Sequence, residues 1–235
     1  MEKTKPNVFY TTYPTPCPYL PDQTERKLFM RLNSENAFAA NILSRAGFRR
    51  TQNICYLPAC PECNACISVR IPVQKFIPTK KQKKTWRQNG DLSLFITPNV
   101  ATEEQYGLFK TYLDVRHPDG GMNSMDEEDF RAMIEDSPVP AFLLEARDSE
   151  SGVLQGVMLA DIFDDGLSAV YSFFNPDEPK RSLGTFLVLE LIRQAKSFNL
   201  PYVYLGYYIA ECPNMAYKAR FFPLEKFEND VWSPL

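Results

Sequence analysis

The chain has 235 residues, 44% of them apolar, enough to pack a core, and its 26 basic and 29 acidic side chains leave a net charge of −3. That small sum hides a segregation: residues 1–90 carry 15 Lys or Arg against 5 Asp or Glu, a net +10, and residues 91–235 carry 11 against 24, a net −13. One histidine excludes two-histidine zinc proteases, and ten glycines without a G-x-G-x-x-G or G-x-x-x-x-G-K-[ST] pattern exclude dinucleotide-binding and P-loop enzymes.

Met1 to Pro6 leads into no apolar run, and no stretch approaches the roughly 18 apolar residues of a membrane span, so a soluble, unsecreted chain is expected. Phe9 to Asp22, with four prolines among its aromatic rings, is expected to be extended. From Gln23 to Phe48 the spacing of Leu28, Phe29 and Leu32, then of Ala37, Phe38, Ile42, Leu43 and Ala46, predicts helix. Ser34 is an N-cap for its second part and Gly47 a stop. Strands are predicted at Arg50 to Leu57 and Ile67 to Val73. Between Thr79 as cap and Gly90 as terminator lies a short helix with Lys80, Lys83, Lys84 and Arg87 on one face.

In the second half, Leu92 to Thr97 reads as strand, Glu103 to Val115 as helix, and Met125 to Glu135 as an acidic helix capped at Ser124. Strands at Ala141 to Arg147, Val153 to Phe163 and Ser168 to Phe174 follow, the last pair turning at Asp164-Asp165-Gly166. A charged loop, an apolar helix from Ser182 to Phe198 and a strand from Tyr202 to Tyr207 complete an α+β order. The change of charge places a domain boundary between residues 1–95 and 96–235.

Three constellations could carry chemistry. Cys60, Cys63 and Cys66 form a C-x2-C-x2-C run suited to zinc or an iron–sulfur cluster. The fourth ligand would come from Cys17, Cys55 or Cys212, and a set of reduced thiols without metal is the alternative. Ser68 to Gly90 holds Arg70, Lys75, Lys80, Lys81, Lys83, Lys84 and Arg87 with no acidic residue. It reads as a phosphate-binding surface on which Trp86 could stack a base, against the alternative of a solvated lysine face. Ser182-Leu183-Gly184-Thr185 at a helix start offers N–H groups to an anion or a polarised carbonyl, near the tyrosine-rich end of the strand that contains Gly206.

Cys17-Pro18-Tyr19-Leu20-Pro21, Phe48-Arg49-Arg50, the cysteine run leading to Ile67–Val73, Asp165 to Phe174, Ser182-Leu183-Gly184-Thr185, Tyr202 to Ile209 and Tyr217-Lys218-Ala219 together resemble the arginyltransferase family of aminoacyl-tRNA–protein transferases. The similarity is greatest to its bacterial aspartate/glutamate leucyltransferase branch and runs from about residue 9 to about 228. The resemblance implies an N-terminal cysteine-bearing region, a C-terminal GNAT-type acyltransferase fold and a cytoplasmic enzyme. It also implies transfer of an amino acid from charged tRNA, Leu-tRNA before Arg-tRNA, to proteins that begin with Asp or Glu, marking them for degradation. No DNA or membrane partner is implied, and the cluster seen in some relatives carries over to Cys17, Cys60, Cys63 and Cys66.

The acceptor α-amine has a pKa of about 7.7–8.0, so part of it is neutral at pH 7 and the transfer requires neither strong base nor cofactor. Tyr171, Ser182, Gly184 and Tyr207 are the expected catalytic residues, with Asp161 or Glu190 as weak bases. Lys218 and Arg220, with Arg70 as a third candidate, are the expected cations for the acidic acceptor side chain. A non-catalytic binding module of the same fold is the rival from another class, and an acetyl-CoA-dependent acetyltransferase a third reading.

Overall fold

The computed structural model describes residues 8–118 and 120–235, so the reading of Met1 to Pro6 lies outside the described residues. The proline-rich start is extended, with β1 (Tyr10–Thr11), and β2 (Thr15–Pro16) paired to β3 (Thr24–Glu25). β4 (Lys27–Arg31) is a strand where the spacing of Leu28, Phe29 and Leu32 predicts helix. It is laddered on both edges, which gives its backbone more partners than one helical turn would. Only α1 (Ala39–Arg45) is helical here, ended by Gly47 at φ +81°. The strand expected at Arg50 to Leu57 is instead a hairpin, β5 (Arg49–Thr51) and β6 (Ile54–Pro58), turning at the left-handed Gln52.

β7 (Ile67–Pro72) leads to α2 (Lys80–Gln88), capped by Thr79 as the sequence predicts and closed into a capping box by Gln82. β8 (Leu92–Pro98), α3 (Glu103–Arg116) and α4 (Glu127–Glu135) follow. Asp126, not Ser124, caps α4, because the Ser124 hydroxyl donates back to the Gly121 carbonyl. Then come β9 (Ala141–Asp148), β10 (Leu154–Phe163), β11 (Gly166–Phe174), α5 (Leu183–Ser197), β12 (Tyr202–Tyr208), the single turn α6 (Pro213–Ala216), and a terminal hairpin of β13 (Glu225–Glu228) and β14 (Val231–Pro234).

Among the described residues, eight strands form one sheet in the order β14-β13-β7-β12-β11-β10-β9-β8, antiparallel except between β11 and β12. A division at 95/96 would cut β8. It would also remove β7, whose Val69 and Ile71 are fully buried between β12 and β13, from the sheet it completes. Alternating side chains bury one face under α5 and α2 and the other under α3 and α4. Further along that second face, the small sheet β1-β4-β6-β5 and α1 cover Phe163 and Tyr204. Arg50 of β5 is fixed to Asp161 of β10 by a buried bidentate ion pair, with Arg50 Nε 2.6 Å from Asp161 Oδ2.

Candidate active site

β11 and β12 pair in parallel only from Gly166–Ser168 to Tyr202–Tyr204. Beyond that point Val170 bulges out of β11, and β12 shifts register at Gly206, which has φ +75°. Arg49 lies where they part. Its Nη2 donates to the Ala169 carbonyl (2.8 Å) and the Val170 carbonyl (3.2 Å), and a Cβ on Gly206 would lie 2.5 Å from its guanidinium, so only glycine admits it. The Arg49 Nη1 is buried without a hydrogen-bond partner, and among the described residues no carboxylate pairs with this side chain.

After β11 the chain enters α5 through Ser182 in the left-handed region, at φ 56° and ψ 46°, a strained conformation for a residue with a Cβ. The N–H groups of Leu183, Gly184 and Thr185 have no acceptor within the helix and stand at its positive end. Gly184 is required by contact: a Cβ there would meet the Phe174 ring at 2.8 Å.

Leu183, Gly184 and Thr185 border a cavity of about 410 Å³, lined on other sides by Tyr112, Arg116 and His117 at the end of α3, by Phe174 at the end of β11 and Asn175 after it, and by Pro213, Tyr217 and Arg220. The single histidine of the chain is here. Burial, then Arg116, hold the His117 imidazole below its usual range and so neutral at pH 7, and the Tyr112 hydroxyl is 3.3 Å from its Nε2. Among the described residues, Glu178 is the one carboxylate in the lining, against Arg116 and Arg220, and it faces Arg181 at 3.7 Å. A second cavity of about 590 Å³, lined by Lys80, Lys81 and Lys84 of α2 together with Lys180, has Ser182 in common with the first.

Ser182, Gly184 and Arg220 therefore line the transfer-sized cavity, whereas several expected site residues stand elsewhere. Tyr171 points to the Phe109 side of β11 and does not line it. The buried Tyr207 hydroxyl donates to the Tyr56 carbonyl (2.8 Å), tying the two sheets together. Asp161 is consumed by Arg50, and Glu190 by Arg193 at 2.6 Å within α5, so neither is a base for this cavity. Arg70 is held by Glu225 at 2.9 Å and stacked over Tyr202 and Trp232, which leaves it no free charge for an acceptor. Lys218 is buried behind the rim, donating to the Tyr207 carbonyl. Burial, then Arg49, lower its pKa to about 7.

Trp86 packs against the main core with its indole N–H buried, so it is no stacking platform, while Lys75, Lys80, Lys81, Lys83, Lys84 and Arg87 are all exposed. Cys17, Cys60, Cys63 and Cys66 line one cavity of about 250 Å³, and Cys55 and Cys212 are buried elsewhere. The four thiols share this space without converging: among the described residues no three His, Cys, Asp or Glu side chains are placed to hold a metal ion. Burial, then the neighbouring cysteines, push the Cys66 thiol up to about 12. His117, Arg116 and Arg49 were missed by pattern reading. The pair Arg49-Arg50 offered a signal, since one guanidinium is neutralised and its neighbour is not.

Two family models match the chain, "Arginine-tRNA-protein transferase, N terminus" over residues 15–84 and "Arginine-tRNA-protein transferase, C terminus" over residues 104–228. The aspartate/glutamate leucyltransferase of Paramagnetospirillum magneticum is 49% identical, over 97% of this chain and 93% of the relative. That of Sphingopyxis alaskensis is 48% identical, over 96% and 90%. Among solved structures, FemX superposes with a TM-score of 0.52 at 8% identity, over 80% of this chain and 65% of that one, a likeness of fold alone. L-PGS from Bacillus licheniformis gives a TM-score of 0.47 at 13% identity, and this chain spans about half of that chain's length, 47%. Matched by both models and at this identity to relatives along nearly its whole length, the chain belongs to the arginine-tRNA-protein transferase family.

Proposed function

We propose that this protein transfers leucine from leucyl-tRNA to the α-amine of proteins that begin with Asp or Glu. The observation that carries the reading is the junction at Ser182. The lysine-lined cavity and the cavity at the start of α5 share Ser182 in their walls, so phosphates held at the first would bring the ester at the 3′ end of their chain to the second.

In the transfer the amine nitrogen bonds to the ester carbonyl carbon, the carbon–oxygen bond to the terminal ribose breaks, and one proton passes from nitrogen to the departing oxygen. The N–H groups of Leu183, Gly184 and Thr185 face the carbonyl oxygen as it gains charge. His117, neutral at pH 7, takes the amine proton and returns it to the ribose oxygen. Arg220 on the rim and Arg49 in the strand gap provide the positive field for the acceptor carboxylate, with the buried Lys218 close enough to Arg49 to feel its charge. The walls favour leucine over arginine: Phe174, Leu183 and Tyr217 are apolar, and the lining charge is mostly positive. Transfer of radiolabel from Leu-tRNA to an Asp-starting peptide, with none from Arg-tRNA, is the expected result. Binding of both substrates without transfer would instead make the protein a recognition module.

The four-cysteine cavity, whose thiols do not converge as they stand, we read as a site that would have to close around zinc or an iron–sulfur cluster, on donor chemistry alone, since soft thiolates are what both take. It is lined by none of the residues of the transfer cavity. Metal analysis of anaerobically prepared protein and of Cys60→Ser tests this: stoichiometric metal in the first and its loss in the second are expected.

A further inference from the structure

α2 has two unlike faces. Outward it shows Lys80, Lys81, Lys83, Lys84 and Arg87 to solvent. Inward it buries Gln82, Thr85 and the following Asn89, with Gln82 4% and Asn89 1% exposed. A helix docks on a core most cheaply with apolar side chains, as α5 does through Leu187, Leu189 and Leu191, and a buried amide costs stability unless its hydrogen bonds are made. Both amides are bonded, and to informative places. Gln82 Oε1 accepts from the Thr79 N–H (2.8 Å), closing the helix cap, while its Nε2 donates to the Arg220 carbonyl (3.0 Å). Asn89 Nδ2 donates to the Thr85 carbonyl and the Arg181 carbonyl (2.9 Å each), and its Oδ1 accepts from Arg181 Nε (2.9 Å).

Arg220 and Ser182, the residue after Arg181, are two separate segments of the rim of the transfer cavity. The grip on Arg181 is completed by Asp91 at 2.6 Å, so the residue leading into the left-handed Ser182 is held from the end of α2. One short helix thus carries the cationic face on its outside and holds both rim segments from its inside.

We propose that Gln82 and Asn89 are positioning residues that transmit the docking of tRNA phosphates on α2 to the geometry of the transfer cavity. The inference rests on the transfer reading given above. Phosphates engaged by the lysines fix α2, and its two amides then fix the Arg220 carbonyl and the Arg181–Ser182 peptide that set where the α5 N–H groups stand relative to the ester.

The test compares two donors with an Asp-starting peptide as acceptor: full Leu-tRNA, which reaches α2, and leucyl-adenosine, which has the same ester and no phosphates. The variants are Gln82→Glu, which keeps the cap acceptor and removes the donor to Arg220, and Asn89→Ala. Thermal unfolding of each establishes that it is folded, and either variant alone suffices. For Leu-tRNA, kcat should fall about tenfold with KM within about twofold, while the leucyl-adenosine rate stays at the wild-type value. Equal losses with both donors would overturn the inference, since a merely structural amide predicts that. A raised KM with unchanged kcat would also overturn it, because the amides would then only support binding. If wild-type protein transfers from neither donor, the reading of the reaction falls, and this inference with it.

Discussion

Burial beside an arginine lowers the pKa of both His117 and Lys218, yet they report on different properties. Burial and Arg116 keep the His117 imidazole unprotonated down to below the ordinary histidine range, so it is a base throughout the physiological window. His117→Ala should lower kcat by about 10²-fold at pH 7 without loss of folded stability, as measured by single-turnover transfer and thermal unfolding. Lys218 holds its proton only to about 7 in the folded protein but to about 10.5 in the unfolded chain. Between those values the unfolded chain binds more protons, so the cost of burying the ammonium is full below pH 7 and is relieved as pH rises towards 10.5. Urea titrations should therefore show wild-type stability rising relative to Lys218→Met from pH 7 to 10, and a difference that stays flat would refute the assignment. Only Arg116, next to His117, was legible from the neighbours in sequence. What lowers each pKa is tertiary burial, joined for Lys218 by Arg49, which lies in the other half of the chain.

Elements whose determinants are local were read correctly, as were strands such as β7, β8 and β12 with a clear pattern, whereas an ambiguous pattern was decided by distant partners. Thr79, Gln82 and Gly90 fix α2 within a dozen residues, and the Asp164-Asp165-Gly166 turn fixes the β10–β11 hairpin. Leu28, Phe29 and Leu32 suit helix or strand equally, and the ladders from β1 and β6 decide for strand. The basic run suggested seven cations for one surface. Six are exposed, and the seventh, Arg70, is claimed by Glu225 from the terminal hairpin, 155 residues away. The exposed face of α2 should act through phosphate contacts. Replacing Lys80, Lys83, Lys84 and Arg87 by Ala is expected to weaken tRNA binding and flatten the slope of log K against log salt by about 3 to 4. An affinity unchanged across a salt series would return the helix to a solvated role.

At the scale of the molecule, the charge boundary that suggested two domains is not a boundary of packing. β7 and β8 carry the large sheet across it, and Arg50–Asp161 joins the small sheet to the large one. Removing one member of that pair leaves a buried charge uncompensated, and Asp161→Asn should cost about 3–5 kcal/mol of stability, read as a lower midpoint in denaturant. Both sheets should unfold in one transition rather than two. The charge dipole then describes surfaces: a cationic helix for phosphate, and acidic flanks elsewhere that repel it. Because the lysines of α2 engage only phosphates, they hold charged and spent tRNA with equal strength. Docking there is common to both forms, and only the charged form brings an ester into the transfer cavity. Deacylated tRNA therefore competes for the helix, and uncharged tRNA should inhibit competitively with a Ki close to the KM of its leucylated form. The enzyme's working rate in a cell would follow the ratio of charged to uncharged tRNA rather than the amount of either.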